Sequence, residues 1–212
     1  MQFVSSSKKM KITFTRHGQS LANTLHIISN HNLPHPLTNV GRQQADDLSL
    51  KLAPTRFERI YTSPVPRAVE TAQILSGALK LPVTIEPALR EYDCGELEGR
   101  GDPEAWKIHR QFVLDWFDGL QRDECPPGGE TFHDIQKRMR TFLNTLSEEF
   151  GETNAHILCV SHGGTLVFGL PELLTNIDFA FARQNIPDHT DLIVAQHGSD
   201  GWHCLAWGSR HP

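Results

Sequence analysis

The segment KITFTRHGQS, residues 11–20, is the strongest indication of the fold in this chain. Its first half, residues 11–15, is a strand-like run, and Arg16, His17 and Gly18 follow at once. In open α/β sheets, ligands bind outside the carboxyl ends of the strands. Glycine at such a position lets backbone N–H groups approach a ligand, and the start of the next helix favours an anion. A histidine beside an arginine in this setting indicates chemistry on phosphate.

A second stretch, far along the chain, is built in the same way. The strand-like run HILCVS, residues 156–161, leads directly into His162, Gly163 and Gly164. Each stretch therefore places a histidine and a glycine where a strand ends and a helix begins. We predict that the two stretches meet at one edge of a sheet.

Strand-like and helix-like segments alternate along the chain. The strand candidates are residues 11–15, 59–62, 82–85, 156–161, 192–196 and 202–206. Helices are predicted to begin at Thr38, at Pro66, near Glu130 and after Gly164. The inner stripe of the first helix is predicted to hold Val40, Ala45, Leu48 and Leu52. This order predicts an α/β fold, a three-layer α/β/α sandwich with a mixed, mainly parallel central sheet and an antiparallel edge strand.

Size and composition exclude several classes of protein. A chain of 212 residues with a formal net charge of −5 is most simply one domain, residues 1–212, and lacks the basic balance that sequence-blind nucleic-acid binding needs. Its polar N-terminus has no signal-peptide core, and no apolar run approaches the roughly 20 residues that span a membrane. The four cysteines form no Cys-x-x-Cys pair. We predict a cytoplasmic protein without nucleic-acid or membrane partners.

Residues 100–129 fit the alternation less well. They hold an amphipathic helix with Trp106, Phe112 and Trp116, followed by a turn through Pro126 and its neighbours. We interpret the segment as an insertion that covers part of the site. An ordinary helix packed on the sheet is the alternative, and the aromatic side chains alone favour that alternative.

Two further segments also place charged residues after predicted strands. Residues 61–68 read as strand, turn and helix start, and they deliver Arg67 into the first turn of a helix. A cation is disfavoured there unless it faces an anion. Residues 89–99 form a loop that contains Glu91 and two glycines.

Together these segments resemble the histidine phosphatase superfamily, also called the phosphoglycerate mutase-like family. The match to the motif Arg-His-Gly-x-Ser/Thr-x-x-Asn is complete in Arg16, His17, Gly18, Ser20 and Asn23. The other matching blocks lie, in the family's order, at residues 36–45, 62–72, 89–99, 127–131 and 161–164. One such block is weak support, whereas six ordered blocks spanning most of the chain are specific.

The resemblance implies a catalytic set of His17, Glu91 and His162. It names His17 as a nucleophile whose neutral imidazole attacks phosphorus and forms a phosphohistidine, which splits one hard step into two. Glu91 is the expected acid for the leaving group and later the base that activates water, so it must hold a proton at the working pH. His162 would be a cation that stabilises charge on the transferring group.

The resemblance also implies a phosphate-binding set, consisting of Arg16, Gly18, Asn23, Arg67 and Gly163. The two arginines would grip the non-bridging oxygens through planar donors that stay charged, and the others would add N–H groups. We predict that no metal and no cofactor is needed, because the cationic side chains take the place of magnesium.

Each site residue also has a structural explanation. Taken alone, His17 or His162 could be a satisfied strand-end histidine, and Glu91 could be a surface acid. His31 and His35 raise a metal hypothesis, but Pro34 and Pro36 exclude a regular helix that would put them on one face. His35 also stands where many family members carry an acidic residue, so the loop of residues 26–35 is left without a role.

Three functions remain open from the sequence. The leading prediction is a phosphatase of small phosphorylated metabolites. The second is a phosphoglycerate mutase, but family mutases carry a longer insertion with added basic residues, whereas residues 100–129 are short and more acidic than basic. The third is a catalytically silent relative that only binds phosphorylated ligands. The protein could be a monomer or a homodimer.

Overall fold

The structure is a computed structural model that describes residues 9–30 and 33–212. Most of the polar N-terminus, and His31 of the metal hypothesis, therefore lie outside the described residues. Within the described part of the chain, none of the helices has the length and apolar character required to cross a bilayer.

The strands and helices follow the predicted order. The strands are β1 (Lys11–Arg16), β2 (Arg59–Thr62), β3 (Val83–Ile85), β4 (His156–Ser161), β5 (Leu192–Gly198) and β6 (Gly201–Trp207). The α-helices are α1 (Leu21–Leu25), α2 (Asn39–Leu52), α3 (Pro66–Leu79), α4 (Pro103–Phe117), α5 (Phe132–Phe150), α6 (Gly163–Gly169) and α7 (Phe179–Gln184). Single 3₁₀ turns occur at Pro87–Leu89 and Gly95–Leu97.

One six-stranded sheet, in the order β3-β2-β4-β1-β5-β6, forms the centre of the molecule. β1 and β2 both pair parallel with β4, and β3 pairs parallel with β2. β5 pairs antiparallel with both β1 and β6. This mixed sheet with antiparallel pairing at one edge confirms the predicted fold class. Because β5 runs against β1, its first residue Leu192 lies opposite Thr15, near the end of β1.

Helices cover both faces of the sheet, and each face has its own apolar cluster. Side chains alternate along a strand, so Leu158 and Val160 of β4 pack with α2 and α3, whereas Ile157 and Cys159 join the larger cluster on the other face. The larger cluster includes Met139 of α5 and neighbouring residues of α4 and α6. This arrangement is a three-layer sandwich, in which helices cover the two faces of the sheet.

Local signals account for the helix starts. The backbone N–H of Gly41 donates to the Thr38 hydroxyl at 3.0 Å, which caps α2 as predicted. Pro66 is the first residue of α3, where its missing N–H is not needed. The predicted stripe of α2 was wrong at one position: Val40 is 55% exposed, because the inward face of the first turn is taken by Gly41.

Helix α4 is the main element of residues 100–129. Its Trp116 is fully buried, with ring centroids 5.5 Å from Tyr92 and 5.3 Å from Phe168. Trp106, nearer the start of the helix, donates its indole N–H to the His26 carbonyl at 2.7 Å. One end of α4 thus packs into the core, and the other holds the loop that contains His26.

Candidate active site

Three strand ends bring the predicted residues together. His17 follows β1, His162 follows β4, and Arg67 lies in the first turn of α3 after β2. The ring centroids of His17 and His162 are 5.0 Å apart, and Arg67 donates from Nε to His17 Nε2 at 2.9 Å. All three side chains are buried. The parallel register of β1, β4 and β2 is the reason these distant segments meet.

The hydrogen bonds of His17 define which ring nitrogen carries the proton. Its Nδ1 lies 2.6 Å from the Gly18 carbonyl oxygen, which can only accept, so Nδ1 carries the hydrogen. Nε2 then holds a lone pair, which accepts the bond from Arg67. Burial, with the charges of Arg67, His162 and Arg16, holds the pKa of His17 well below its usual 6.5. The imidazole is therefore neutral, with its lone pair on Nε2 directed at Arg67.

Gly18 contributes to this geometry through its carbonyl. Its N–H donates to the Thr71 hydroxyl at 3.2 Å, so this donor faces α3 and not a ligand. A Cβ on Gly18 would lie 2.4 Å from the Gly41 carbonyl oxygen, so any other residue at this position would clash with the backbone of Gly41. The predicted substrate-binding residue Gly18 is thus placed beside the site, where it orients the His17 ring.

The two arginines are buried donors that lack complete pairing. Arg16 donates from one terminal nitrogen to the Pro187 carbonyl at 3.0 Å, but its Nε has no partner among the described residues. One terminal nitrogen of Arg67 is likewise buried and unpaired within the part of the chain that the structure describes. Burial lowers the pKa of Arg67 to about 10, opposed by the charge of Glu91. Buried N–H groups without partners are costly, and an anion between them would satisfy both.

His162 completes the buried cluster of polar side chains. A 2.7 Å hydrogen bond joins its Nε2 to the Ser63 hydroxyl, and its buried Nδ1 has no partner among the described residues. Burial, Arg67 and Arg138 hold the pKa of His162 well below 6.5, so the ring is neutral without an anion. Gly163 begins α6, and its N–H is among those that no helix carbonyl can satisfy.

Glu91 lies against the start of α6. Its Oε1 accepts from the N–H of Thr165 at 2.7 Å, from the hydroxyl of the same threonine at 3.0 Å and from the N–H of Tyr92 at 3.1 Å. Among the described residues, Oε2 accepts only from the Gly164 N–H, at 3.0 Å. The residue as a whole is 8% exposed, and its charge acts to raise the pKa of Arg16 and Arg67. Oε2 is therefore the oxygen with fewer donors around it.

Asn23 has a neighbour that the sequence analysis missed. The Asn23 Oδ1 accepts from the Ser20 N–H at 2.9 Å and from the Ser20 hydroxyl at 2.8 Å. A third bond, at 3.1 Å, joins it to Nε2 of His189, whose ring centroid is 5.7 Å from that of His17. No sequence signal pointed to His189, because its placement depends on the antiparallel pairing of β5 with β1, which brings that loop to the same edge.

The described part of the segment left without a role places His35 within reach of the charge of Arg67. His35 Nδ1 is 2.7 Å from the buried Ser29 hydroxyl. Burial and the charge of Arg67 lower the pKa of His35. Among residues 9–30 and 33–212, no group of three or more His, Cys, Asp or Glu side chains is arranged to hold a metal ion.

Comparison with known proteins agrees with this geometry. The sequence profile described as "Histidine phosphatase superfamily (branch 1)" matches residues 12–210, and the chain belongs to that family. It is therefore an enzyme of the histidine phosphatase and phosphoglycerate mutase type. This confirms the resemblance seen in the sequence.

Relatives in the family include both kinds of enzyme. An adenosylcobalamin/alpha-ribazole phosphatase of Escherichia coli K-12 is 32% identical over 165 residues, covering 78% of this chain and 79% of the relative. A probable phosphoglycerate mutase of Yersinia enterocolitica is 30% identical over 165 residues, covering 78% and 75%. The crystal structure of a putative alpha-ribazole-5'-P phosphatase from E. coli matches with a TM-score of 0.79 and 27% identity, covering 95% of this chain and 97% of that one.

Proposed function

We propose that this chain is a phosphomonoester hydrolase that works through a covalent phosphohistidine on His17. The observation that carries the proposal is the state of the His17 ring. Its Nε2 lone pair accepts from the buried guanidinium of Arg67 at 2.9 Å, while Nδ1–H is held by the Gly18 carbonyl at 2.6 Å. A neutral imidazole among buried cations suits attack on a phosphate dianion.

In the first step, Nε2 of His17 bonds to phosphorus as the bond from phosphorus to the ester oxygen breaks. Arg67 Nε, which holds Nε2 at 2.9 Å without a ligand, exchanges this bond for one to a phosphate oxygen. Arg16 Nε and His162 Nδ1 are further donors that the anion would satisfy. The Asn23 NH2 group and the Gly163 N–H complete the proposed set.

Glu91 acts as acid and then as base in this proposal. Its Oε2 gives a proton to the departing ester oxygen, so that an alcohol leaves instead of an alkoxide. In the second step the same oxygen takes a proton from water, whose oxygen attacks phosphorus and releases His17. Inorganic phosphate leaves, and both residues return to their starting states.

We also propose that catalysis needs no metal and no cofactor, because Arg16, Arg67 and His162 supply the positive charge at the phosphate. The substrate is a small phosphorylated metabolite, a class supported by the names of the relatives. We place the protein in the cytoplasm, and its four cysteines are all free thiols, as a reducing compartment requires.

We further propose that residues 100–129 cover part of the site. The support is the contact of α4 with two site segments. His109 Nε2 lies 2.7 Å from the hydroxyl of Tyr92, which follows Glu91, and Trp106 holds the His26 carbonyl. Substrates larger than phosphate would therefore meet this end of α4.

The phosphoglycerate mutase is retained as a second candidate because a mutase relative matches as much of the chain as the phosphatase does. It would use the same phosphohistidine but return the phosphoryl group to the substrate. The acidic balance of residues 100–129 favours hydrolysis, since a mutase must hold a second acidic group of its substrate.

Turnover of p-nitrophenyl phosphate in excess chelator tests the proposal. We expect release of p-nitrophenol by the wild-type protein and by His203→Ala, which changes an exposed histidine on β6. His17→Ala should lose all phosphoryl transfer. No hydrolysis by the wild-type protein, with and without magnesium, would favour a silent binding protein, and isomerisation of 3-phosphoglycerate with a bisphosphoglycerate primer would favour the mutase.

A further inference from the structure

His189 is a half-buried imidazole at the site that the phosphohistidine mechanism does not use. It lies in the loop between α7 and β5, and the loop is fixed on both sides of it. The Thr190 N–H donates to the Arg16 carbonyl at 3.0 Å, and the Arg16 side chain donates to the Pro187 carbonyl at 3.0 Å. The ring is thus held beside His17 at a centroid distance of 5.7 Å.

The hydrogen bonds of Asn23 fix its orientation. The Ser20 N–H needs an acceptor, so the atom that it contacts at 2.9 Å must be the carboxamide oxygen. The same oxygen faces His189 Nε2 at 3.1 Å, and Nε2 must therefore carry the hydrogen. Burial and the charge of Arg16 lower the pKa of His189 to about 4, which keeps the ring a neutral donor near pH 7.

The other end of the Asn23 carboxamide is left for a ligand. With Oδ1 occupied by Ser20 and His189, the NH2 group must point away from both of them. No described residue accepts a hydrogen bond from it. An N–H donor without an acceptor beside the buried cluster is what an incoming phosphate oxygen requires.

We propose that His189 is a positioning residue of the phosphate site, which holds the Asn23 oxygen so that the Asn23 NH2 group donates to the bound phosphate. This inference rests on the proposed function, because it requires phosphate at the site. Ser20, just before α1, holds the amide oxygen through two hydrogen bonds, and His189 adds a third from the loop before β5. The side chain acts through Asn23, so its effect should vanish when Asn23 is removed.

Titration calorimetry with inorganic phosphate tests the inference. Phosphate binding needs no turnover, so the result remains readable even if the protein hydrolyses nothing. We expect His189→Leu to raise the Kd for phosphate roughly five- to tenfold, the effect of one hydrogen bond. In the Asn23→Ala background, the same change should alter the Kd less than about twofold, because contacting residues are not additive.

Two amide variants provide the matched comparison if leucine disturbs the loop. His189→Gln can reach Asn23 with its NH2 group and should stay within about twofold of the wild-type Kd. His189→Asn is too short and should behave like His189→Leu. His203→Leu, on the exposed face of β6, is the control and should not change the Kd.

Several results would overturn the inference. The first is an unchanged Kd in His189→Leu, and the second is equal affinities of the glutamine and asparagine variants. The third is a double variant, Asn23→Ala with His189→Leu, whose Kd rises by the product of the two single effects. A wild-type chain that binds phosphate but hydrolyses no ester would remove the proposed function and leave the inference standing. A wild-type chain that binds no phosphate would overturn both.

Discussion

At the scale of single residues, the site is defined by where protons and lone pairs lie. The Gly18 carbonyl fixes the hydrogen of His17 on Nδ1. Nε2 accepts a hydrogen bond from Arg67 and therefore carries the lone pair. Burial among cations keeps this ring neutral, and it does the same to His162. A dianion would reverse that electrostatic balance and favour a charged His162 once it is bound.

The proposed role of Glu91 is tested by Glu91→Gln, because an amide cannot deliver the proton. Hydrolysis of an alkyl phosphate should fall roughly 10²- to 10⁴-fold in kcat/KM, since its leaving group needs that proton. Loss with p-nitrophenyl phosphate should be much smaller, because p-nitrophenolate leaves unaided. The exposed Glu96 of the same loop supplies the control, Glu96→Gln. Equal losses on both substrates would reject Glu91 as the acid.

At the scale of elements, the sequence predicted the strands and the residues directly after them. His17, His162 and Arg67 were found because each follows an apolar run within a short, recognisable block. His189 was missed because its placement depends on the direction of β5, and a hairpin loop does not reveal which earlier strand its partner will join. Val40 was misplaced because periodicity alone does not fix which face of a first turn is inward.

Packing between α6 and the Glu91 segment gives a prediction at this scale. A Cβ on Gly164 would lie 2.2 Å from the Tyr92 ring and 2.8 Å from Glu91 Oε1. Tyr92 is buried against Trp116 and Phe168 and has little room to move. Gly164→Ala should therefore lower the free energy of unfolding by about 1–3 kcal/mol and also reduce kcat.

The matched control is Gly77→Ala in α3, where a Cβ would meet nothing within 4 Å. That change should raise the free energy of unfolding by about 0.5–1 kcal/mol and leave kcat unchanged. Urea unfolding and steady-state kinetics measure both variants. Similar behaviour of the two alanine variants would contradict the contact between α6 and Glu91.

At the scale of the whole molecule, buried neutral histidines connect the site to stability. Burial lowers the pKa of His109, His156 and His189 to about 4, and holds that of His17 and His162 well below 6.5. Between about pH 4 and 6.5 the unfolded chain therefore binds more protons than the folded chain. Stability should rise with pH across this window and level off above it.

Urea midpoints near pH 5 and pH 7.5 test this expectation. We expect the lower midpoint near pH 5, with a smaller difference in His156→Gln, which removes one such group. The carboxylates with lowered pKa, Asp102 and Asp134, act below about pH 4 and do not affect the comparison. A midpoint near pH 5 that equals or exceeds the one near pH 7.5 would contradict the expectation.

The most direct test of the proposed phosphohistidine mechanism is to trap the intermediate. The wild-type protein is mixed with a phosphate-labelled substrate, quenched within milliseconds into alkali, where phosphohistidine survives, and mapped by peptide mass spectrometry and phosphorus NMR. We predict one phosphoryl group on Nε2 of His17, absent in His17→Ala. Label on His162 or His189, or rapid turnover with no labelled histidine at all, would contradict it.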